Sequence, residues 1–327
     1  MIGHSAPPAV GLFGKLPSHP DFVRLNASGP LPQALDQWFS EGLSAMRSAQ
    51  GANWEEEFDR AAPFSFVFRH ASEPQSALVG VCRAGRDQTG RRYPLAVFVT
   101  TPVDRGGRDL HLIPVAYDAF LRAAGRLLLN DCADGIDREK ELRIHALSEL
   151  APQSSAEASA DFARTYRNLA MKSFWEGILG DFADRRKYLI IKNLFGALIP
   201  LRGRSPEGIR AILRLPVARQ PELSSFQAAI WLLFCRSVLG ASALAHVGTF
   251  WHSDPGAINT GCVIPFGPPN PALFSAFFAQ SSKNESLWDL ERIAADQADR
   301  AKEALGGPIL AALDSPTYLV QDFLERL

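Results

Sequence analysis

Apolar positions along the first half of the chain switch between two periods. From Gln33 to about Ser48, Leu35, Trp38, Phe39, Leu43 and Met46 fall on one face, while Asp36, Gln37, Ser40, Glu41, Ser44 and Arg47 fall on others. That is the 3.6-residue period of an amphipathic helix, introduced by Pro30 and Pro32. Three short runs follow: FSFVF (Phe64–Phe68), LVGVC (Leu78–Cys82) and YPLAVFVT (Tyr93–Thr100). They are rich in β-branched and aromatic residues and read as strands. The last two are joined by RAGRDQTGRR, so they predict a hairpin with a long, basic, glycine-containing loop. From Val115 to about Leu129 the helical period returns, with Phe120, Leu121, Ala124, Leu127 and Leu128 on one face. The pattern predicts antiparallel strands with helices packed on them, an α+β layer arrangement over residues 1–148.

The pattern changes beyond Asp131. DGIDREKELR is charged and helical in style, and APQSSAEASA (Ala151–Ala160) is small and polar, which predicts a linker. A second α+β domain is expected over 149–327. It begins with a long strand over Tyr188–Leu201, a turn at RGRSPEG and a returning strand, Ile209–Val217. A helix over Ser224–Leu239 follows, with Ser224 or Ser225 as N-cap. Ala245–Ser253 and Cys262–Gly267 read as strands, Pro271–Gln280 as a short helix and Leu287–Leu305 as an amphipathic, acidic segment. Arg185–Arg219 holds nine Lys+Arg against one Glu, and Lys283–Leu327 nine Asp+Glu against five Lys+Arg. Each is read as a solvated face, with an electrostatic docking surface as the sharper alternative.

Composition narrows the function classes. The 327 residues are 46% hydrophobic and 21% charged, with a net charge of −1, so bulk charge points neither to nucleic acid nor to an anionic membrane. Cys82, Cys132, Cys235 and Cys262 lie far apart with no C-x-x-C pair, which predicts reduced thiols and no local zinc or dithiol site. The N-terminus lacks the pattern of a secretory signal. The most apolar run, AAIWLLFC (Ala228–Cys235), is far short of the about 20 residues a bilayer requires and reads as a core helix.

Gly11–Phe22, GLFGKLPSHPDF, invites comparison with a phosphate-binding loop. It fails on chemistry. Only two residues separate Gly11 from Gly14, Leu16 stands where a metal-binding hydroxyl is needed, and Pro17 removes a backbone donor. The stretch reads instead as an edge or entry strand, Val10–Gly14, closed by a proline-set turn at Leu16-Pro17. Phe13 and Phe22 are expected to anchor it in the core, with Asp21 as a local cap or ion-pair partner and Lys15 facing solvent or a partner. His246 and His252 sit roughly 20 Å apart on an extended strand and cannot share a metal unless it bends sharply. H-E-x-x-H, G-x-S-x-G and G-x-G-x-x-G are all missing. No cofactor is expected. The basic loop with Arg83, Arg86, Arg91 and Arg92 could hold a phosphate or a partner's carboxylates, or be a charged hairpin tip organised by Asp87.

These motifs together carry a resemblance. Gly11-Leu-Phe-Gly14-Lys15-Leu-Pro17 followed by Asp21-Phe22-Val23, then Gln37-Trp38-Phe39, then Trp54 ahead of Phe64–Phe68, and Arg86-Asp87-Gln-Thr-Gly90-Arg91-Arg92-Tyr93-Pro94-Leu95, occur in the order and spacing of the TagF family, also called ImpM, of type VI secretion-associated proteins. The likeness covers residues 11 to about 130. Phe250-Trp251 and the segment after it look like the C-terminal part of longer members, and no fused phosphatase domain is expected. The resemblance implies a longin- or profilin-like first domain. It implies a non-catalytic, cytoplasmic accessory protein that negatively regulates assembly or firing of the machine and binds its cytoplasmic proteins, with a forkhead-associated-domain scaffold as partner. Nucleic acid and membrane insertion are not expected. A positive assembly factor, or a phosphate-binding enzyme using loop 83–92, are the alternatives. No catalytic residues come with the family; Lys15, Asp21, Arg86, Asp87, Arg91 and Arg92 are the residues expected to carry partner binding or the signature.

Overall fold

A computed structural model describes residues 8–131, 143–150, 155–204, 211–218, 220–252, 261–279, 287–291 and 297–327. The predicted stretch DGIDREKELR, Cys132, most of the RGRSPEG turn and the loop before Cys262 lie wholly or largely outside the described residues. The chain divides into two compact units, neither continuous in sequence. Unit 1 takes Met1–Val103, Ala116–Ser154 and Pro268–Asn284; unit 2 takes Asp104–Val115, Ser155–Gly267 and Glu285–Leu327. Both mix helix with sheet, and the fold is α+β.

Unit 1 contains β1 (Gly11–Lys15), β2 (Phe22–Leu25), β3 (Phe64–Phe68), β4 (Ser76–Arg83) and β5 (Leu95–Pro102). They run in the order β2-β1-β5-β4-β3, every pair antiparallel. β1 and β3 are buried at every position, as short strands covered on both faces must be. Of the two readings of this stretch, edge or entry strand, the edge does not hold: β1 pairs with β2 on one side and β5 on the other, and β2 forms the edge. Helix α1 (Pro30–Gln50) starts with two prolines in its first turn, where their missing N–H groups are harmless, and stops at Gly51 with φ 57°. Its buried stripe, Leu31, Leu35, Trp38, Phe39, Leu43 and Met46, contains all five of the residues its period marks. The helix Asp118–Arg126 packs on β4 through Phe120, Leu121 and Ala124.

Unit 1 also takes up the helix Pro271–Phe278, from far along the chain. Asn270 caps it, accepting a hydrogen bond from Leu273 N–H, and the Asn270 carbonyl accepts another from Trp38 Nε1 at 2.9 Å. Phe274, Phe277 and Phe278 stack into the ring cluster of Trp38, Phe39, Phe58 and Phe64; the Phe64 and Phe277 centroids are 4.3 Å apart. Gly42 on α1 makes room: a Cβ there would lie 2.1 Å from Phe274 Cγ.

Unit 2 holds β6 (Ala211–Leu215), β7 (Thr249–His252), β8 (Cys262–Phe266) and β9 (Leu287–Asp289) in the order β7-β8-β6-β9, with β6 and β9 parallel. The helix Ser224–Leu239 is buried almost all round, as its composition predicts, and Trp231 Nε1 donates to the Pro216 carbonyl at 2.8 Å. Ser224 and Ser225 do not cap it. Leu223 holds that position, and both serines are buried in the first turn. The expected strand Tyr188–Leu201 is the helix Arg186–Leu198. Its branched and aromatic residues suggested a strand. The buried positions Lys187, Ile190, Ile191, Leu194, Ala197 and Leu198 follow the helical period, with Lys192 and Gly196 exposed between them. Part of the expected linker also folds, as the helix Ser155–Arg167. Among the described residues of the acidic segment, Leu287–Asp289 is a strand and Gln297–Ala304 is helical.

Two helix glycines give substitutions of opposite sign. A Cβ added at Gly196 would have nothing within 4 Å, so Gly196→Ala is expected to stabilise by up to about 1 kcal/mol through helix propensity. Gly42→Ala gains the same propensity, but overpacking against Phe274 outweighs it, for a net loss of about 1 to 2 kcal/mol. Denaturant midpoints of the two variants should move in opposite directions from the parent.

Candidate functional site

The motif residues meet where the β4–β5 connection folds back onto β1. The connection is pinned by backbone bonds from Gln88 N–H to His19 O at 2.9 Å and from Tyr93 N–H to Gly85 O at 2.9 Å. Pro17 sets the turn beneath it, closed by His19 N–H donating to Leu16 O at 3.0 Å. Gly14 and Gly90 both adopt positive φ, at 141° and 85°. At Gly14 the need is double, because a Cβ would lie 2.1 Å from the Pro94 carbonyl oxygen. Strand β1 thus approaches the Tyr93-Pro94-Leu95 segment closely enough to admit only glycine.

Asp87 is the centre of this junction. Its side chain is fully buried. One oxygen accepts from Thr89 N–H (3.0 Å), Thr89 Oγ1 (2.7 Å) and Arg91 N–H (2.9 Å); the other accepts from Lys15 Nζ (2.8 Å) and Arg91 Nε (2.7 Å). Burial pushes the carboxyl up, but hydrogen bonds from Lys15, Thr89 and Arg91 outweigh it and hold the group well below the usual carboxylate range. Arg91 also donates from Nη2 to Pro20 O at 2.7 Å, tying the connection to the turn after β1.

Lys15 therefore does not face solvent. It is 5% exposed and spent on an internal pair. The physical reason is register: β1 is sandwiched between β2 and β5, and the loop carrying Asp87 covers its end. Phe22, expected in the core, sits on the edge strand at 39% exposure, stacked on Phe13 at 5.6 Å and edge-on to Tyr93 at 4.8 Å. Tyr93 is buried and donates to the Asp36 carbonyl at 2.9 Å. Burial, then the Asp36 contact, pushes its hydroxyl far up. Asp21 is exposed and accepts from Phe22 N–H at 2.8 Å.

Of the four loop arginines, two are already matched with carboxylates of this chain. Arg91 holds Asp87. Arg92 grips Asp59 with two bonds of 3.0 and 2.8 Å and reaches Glu55 at 2.8 Å. Arg83 Nη1 donates to the Ala84 carbonyl at 2.8 Å. Arg86 is exposed and lines a cleft of about 340 Å³ with Pro17, Asp59, Arg83, Ala84, Gly85 and Leu129. Leu129 is 55% exposed. The sequence pattern placed Leu127 and Leu128 in the core stripe; Leu129, an apolar residue off that stripe, was the available signal for this cleft. Among the described residues, no group of three or more His, Cys, Asp or Glu is placed to hold a metal. Cys82, Cys235 and Cys262 are buried free thiols, and burial pushes Cys262 up to about 12. His252 is buried against Gly261, whose N–H lies 3.1 Å from its Nδ1. No helix among the described residues is long and apolar enough to cross a membrane.

These features define an α+β domain in which an antiparallel sheet is locked by a buried Lys15–Asp87 pair, closed from the surface by Arg91, on its longest hairpin connection. Residues 11–150 match the family described as TagF N-terminal domain, type VI secretion system-associated, and that stretch of the chain belongs to it. Among solved structures, the crystal structure of PA0076 from Pseudomonas aeruginosa PAO1 at 2.05 Å resolution is similar, with a TM-score of 0.49 and 17% identity, covering 84% of this chain and 96% of that one. The chain has no significant match among curated proteins.

The Asp87 junction gives an acid signature. Its folded-state pKa lies below the unfolded value, so its stabilisation is complete above about pH 4 and is lost as pH falls further. Asp87→Asn leaves Lys15 buried without its counter-charge and is expected to cost on the order of 3 kcal/mol near neutrality. Its stability should also fall less steeply than the parent's between about pH 4 and pH 2. Parallel acid slopes for the two proteins, from urea melts, would contradict this.

Proposed function

We propose that the protein is a non-catalytic, cytoplasmic accessory protein of a type VI secretion system. It acts as a post-translational negative regulator of assembly or firing, by binding a scaffold such as a forkhead-associated-domain protein. The observation that carries the reading is the match of residues 11–150 to the type VI secretion system-associated domain. The site supports it in one further respect. Lys15, Asp87 and Arg91 bind one another, and Arg92 binds Asp59 and Glu55, so the motif charges serve the fold first. What faces outward beside them is Arg86 with exposed Leu129 on the cleft, and Phe22 on the edge strand. A guanidinium beside exposed apolar side chains suits a protein surface, since arginine and large apolar groups dominate the energetics of protein interfaces. The phosphate-enzyme alternative has two of its four loop arginines already committed to carboxylates.

Deleting the gene should raise type VI secretion in cells where the system is otherwise repressed. A fall in secretion would instead make the protein an assembly factor. Co-purification with the system's cytoplasmic proteins should be lost in the Arg86→Glu/Leu129→Asp double variant at unchanged melting temperature, because both side chains are exposed. Retained co-purification would move the docking face elsewhere.

A further inference from the structure

The basic stretch Arg185–Arg219 and the acidic stretch Lys283–Leu327 meet inside unit 2, on strand β9. One side of β6 pairs with β8, and β9 adds to the other. The added strand is short: Leu287, Trp288 and Asp289 lie opposite Ile212, Leu213 and Arg214. Leu290 N–H then donates to Arg214 O at 3.0 Å. The strand sets two carboxylates on arginines of the basic stretch. Asp289 Oδ2 lies 3.6 Å from Arg214 Nη1, and Glu291 Oε1 lies 2.6 Å from Arg186 Nη1. Its apolar anchoring is thin. Leu290 is buried, Leu287 is half-buried and Trp288 is 47% exposed.

We infer that β9 is an autoinhibitory strap, seated where an acidic strand of a partner protein pairs with β6 and sets its own carboxylates on Arg214 and Arg186. Three parallel pairs at a sheet edge hold weakly, and part-exposed ion pairs contribute little and are screened by salt. Opening of this strand is therefore a local event, well below global unfolding. Its departure leaves the β6 edge with unpaired backbone donors and acceptors, a template for an added strand. Charge selects the occupant. Arg214 is 9% exposed, so a strand without a carboxylate would take the Asp289 counter-charge from a nearly buried guanidinium. The strap itself spells out the chemistry: residues 285–291 read ESLWDLE, with three carboxylates and no cation. Being tethered, it competes at an effective concentration on the order of millimolar, which a partner must overcome. The inference rests on unit 2 alone and stands whether or not the regulatory reading holds.

The test combines hydrogen exchange of the full chain with binding of a fluorescein-labelled peptide of residues 285–291. In the parent, amides of 287–291 should exchange well ahead of the helix Ser224–Leu239. They should exchange about tenfold faster at about 1 M salt, where screening acts within about 3 Å, with that helix unchanged. Asp289→Lys/Glu291→Lys should open the strap at low salt, and the labelled peptide should bind this variant at least about tenfold more tightly than the parent. The same peptide carrying Asp289→Asn and Glu291→Gln should bind the variant at least about tenfold more weakly. Equal exchange of 287–291 and the helix, exchange indifferent to salt, or equal binding of the peptide to parent and variant overturns the proposal. So does equal binding of the charged and neutral peptides. Should the double variant fail to fold, exchange in the parent decides between a releasable strap and a fixed strand.

Discussion

The carboxylate of Asp87 receives five donors from three residues, and it does so at the one point where strand β1, the turn after it and the β4–β5 connection all meet. An ionised group at full burial is tolerable only when its lone pairs are filled and its charge is balanced. Lys15 and Arg91 supply the balance, and Thr89 with the Arg91 backbone fills the rest. Remove any one donor and the long connection loses a reason to lie on β1. The glycines at 14 and 90 and the proline at 17 then become intelligible as the backbone conditions for bringing those donors together.

The same junction explains why the motif looked functional. Lysine, aspartate and several arginines in glycine- and proline-marked loops are the residue types of anion sites. Here the polar chemistry is turned inward, and the surface beside it is left to Arg86, Leu129 and Phe22. Within the motif itself, Lys15 and Asp87 are buried while Phe22 and Arg86 stay on the surface.

Much of unit 1 was legible because its signals are local. The stripe from Leu35 to Met46 and the three short runs from Phe64 to Thr100 announce their elements through period alone. Long-range facts were not legible. Nothing near Lys15 reveals that Asp87, 72 residues on, will bury it, although Asp87 inside a cluster of arginines did mark an organising carboxylate. Tyr188–Leu201 misled because composition spoke for a strand while the spacing of Lys192 and Gly196 spoke for a helix, and spacing won. Leu129 was overlooked because an apolar residue beside a core stripe is easily counted as part of it.

The Phe274 ring seated over Gly42, with Trp38 bonded to the Asn270 carbonyl, separates two notions of a module. The stretch recognisable as a family ends at residue 150, but the wall that covers its aromatic cluster is encoded more than a hundred residues later. During synthesis, the rings of Trp38, Phe39, Phe58 and Phe64 leave the ribosome long before their covering helix exists. The recognisable stretch and the compact unit are thus bounded differently, since the unit also takes in Pro268–Asn284.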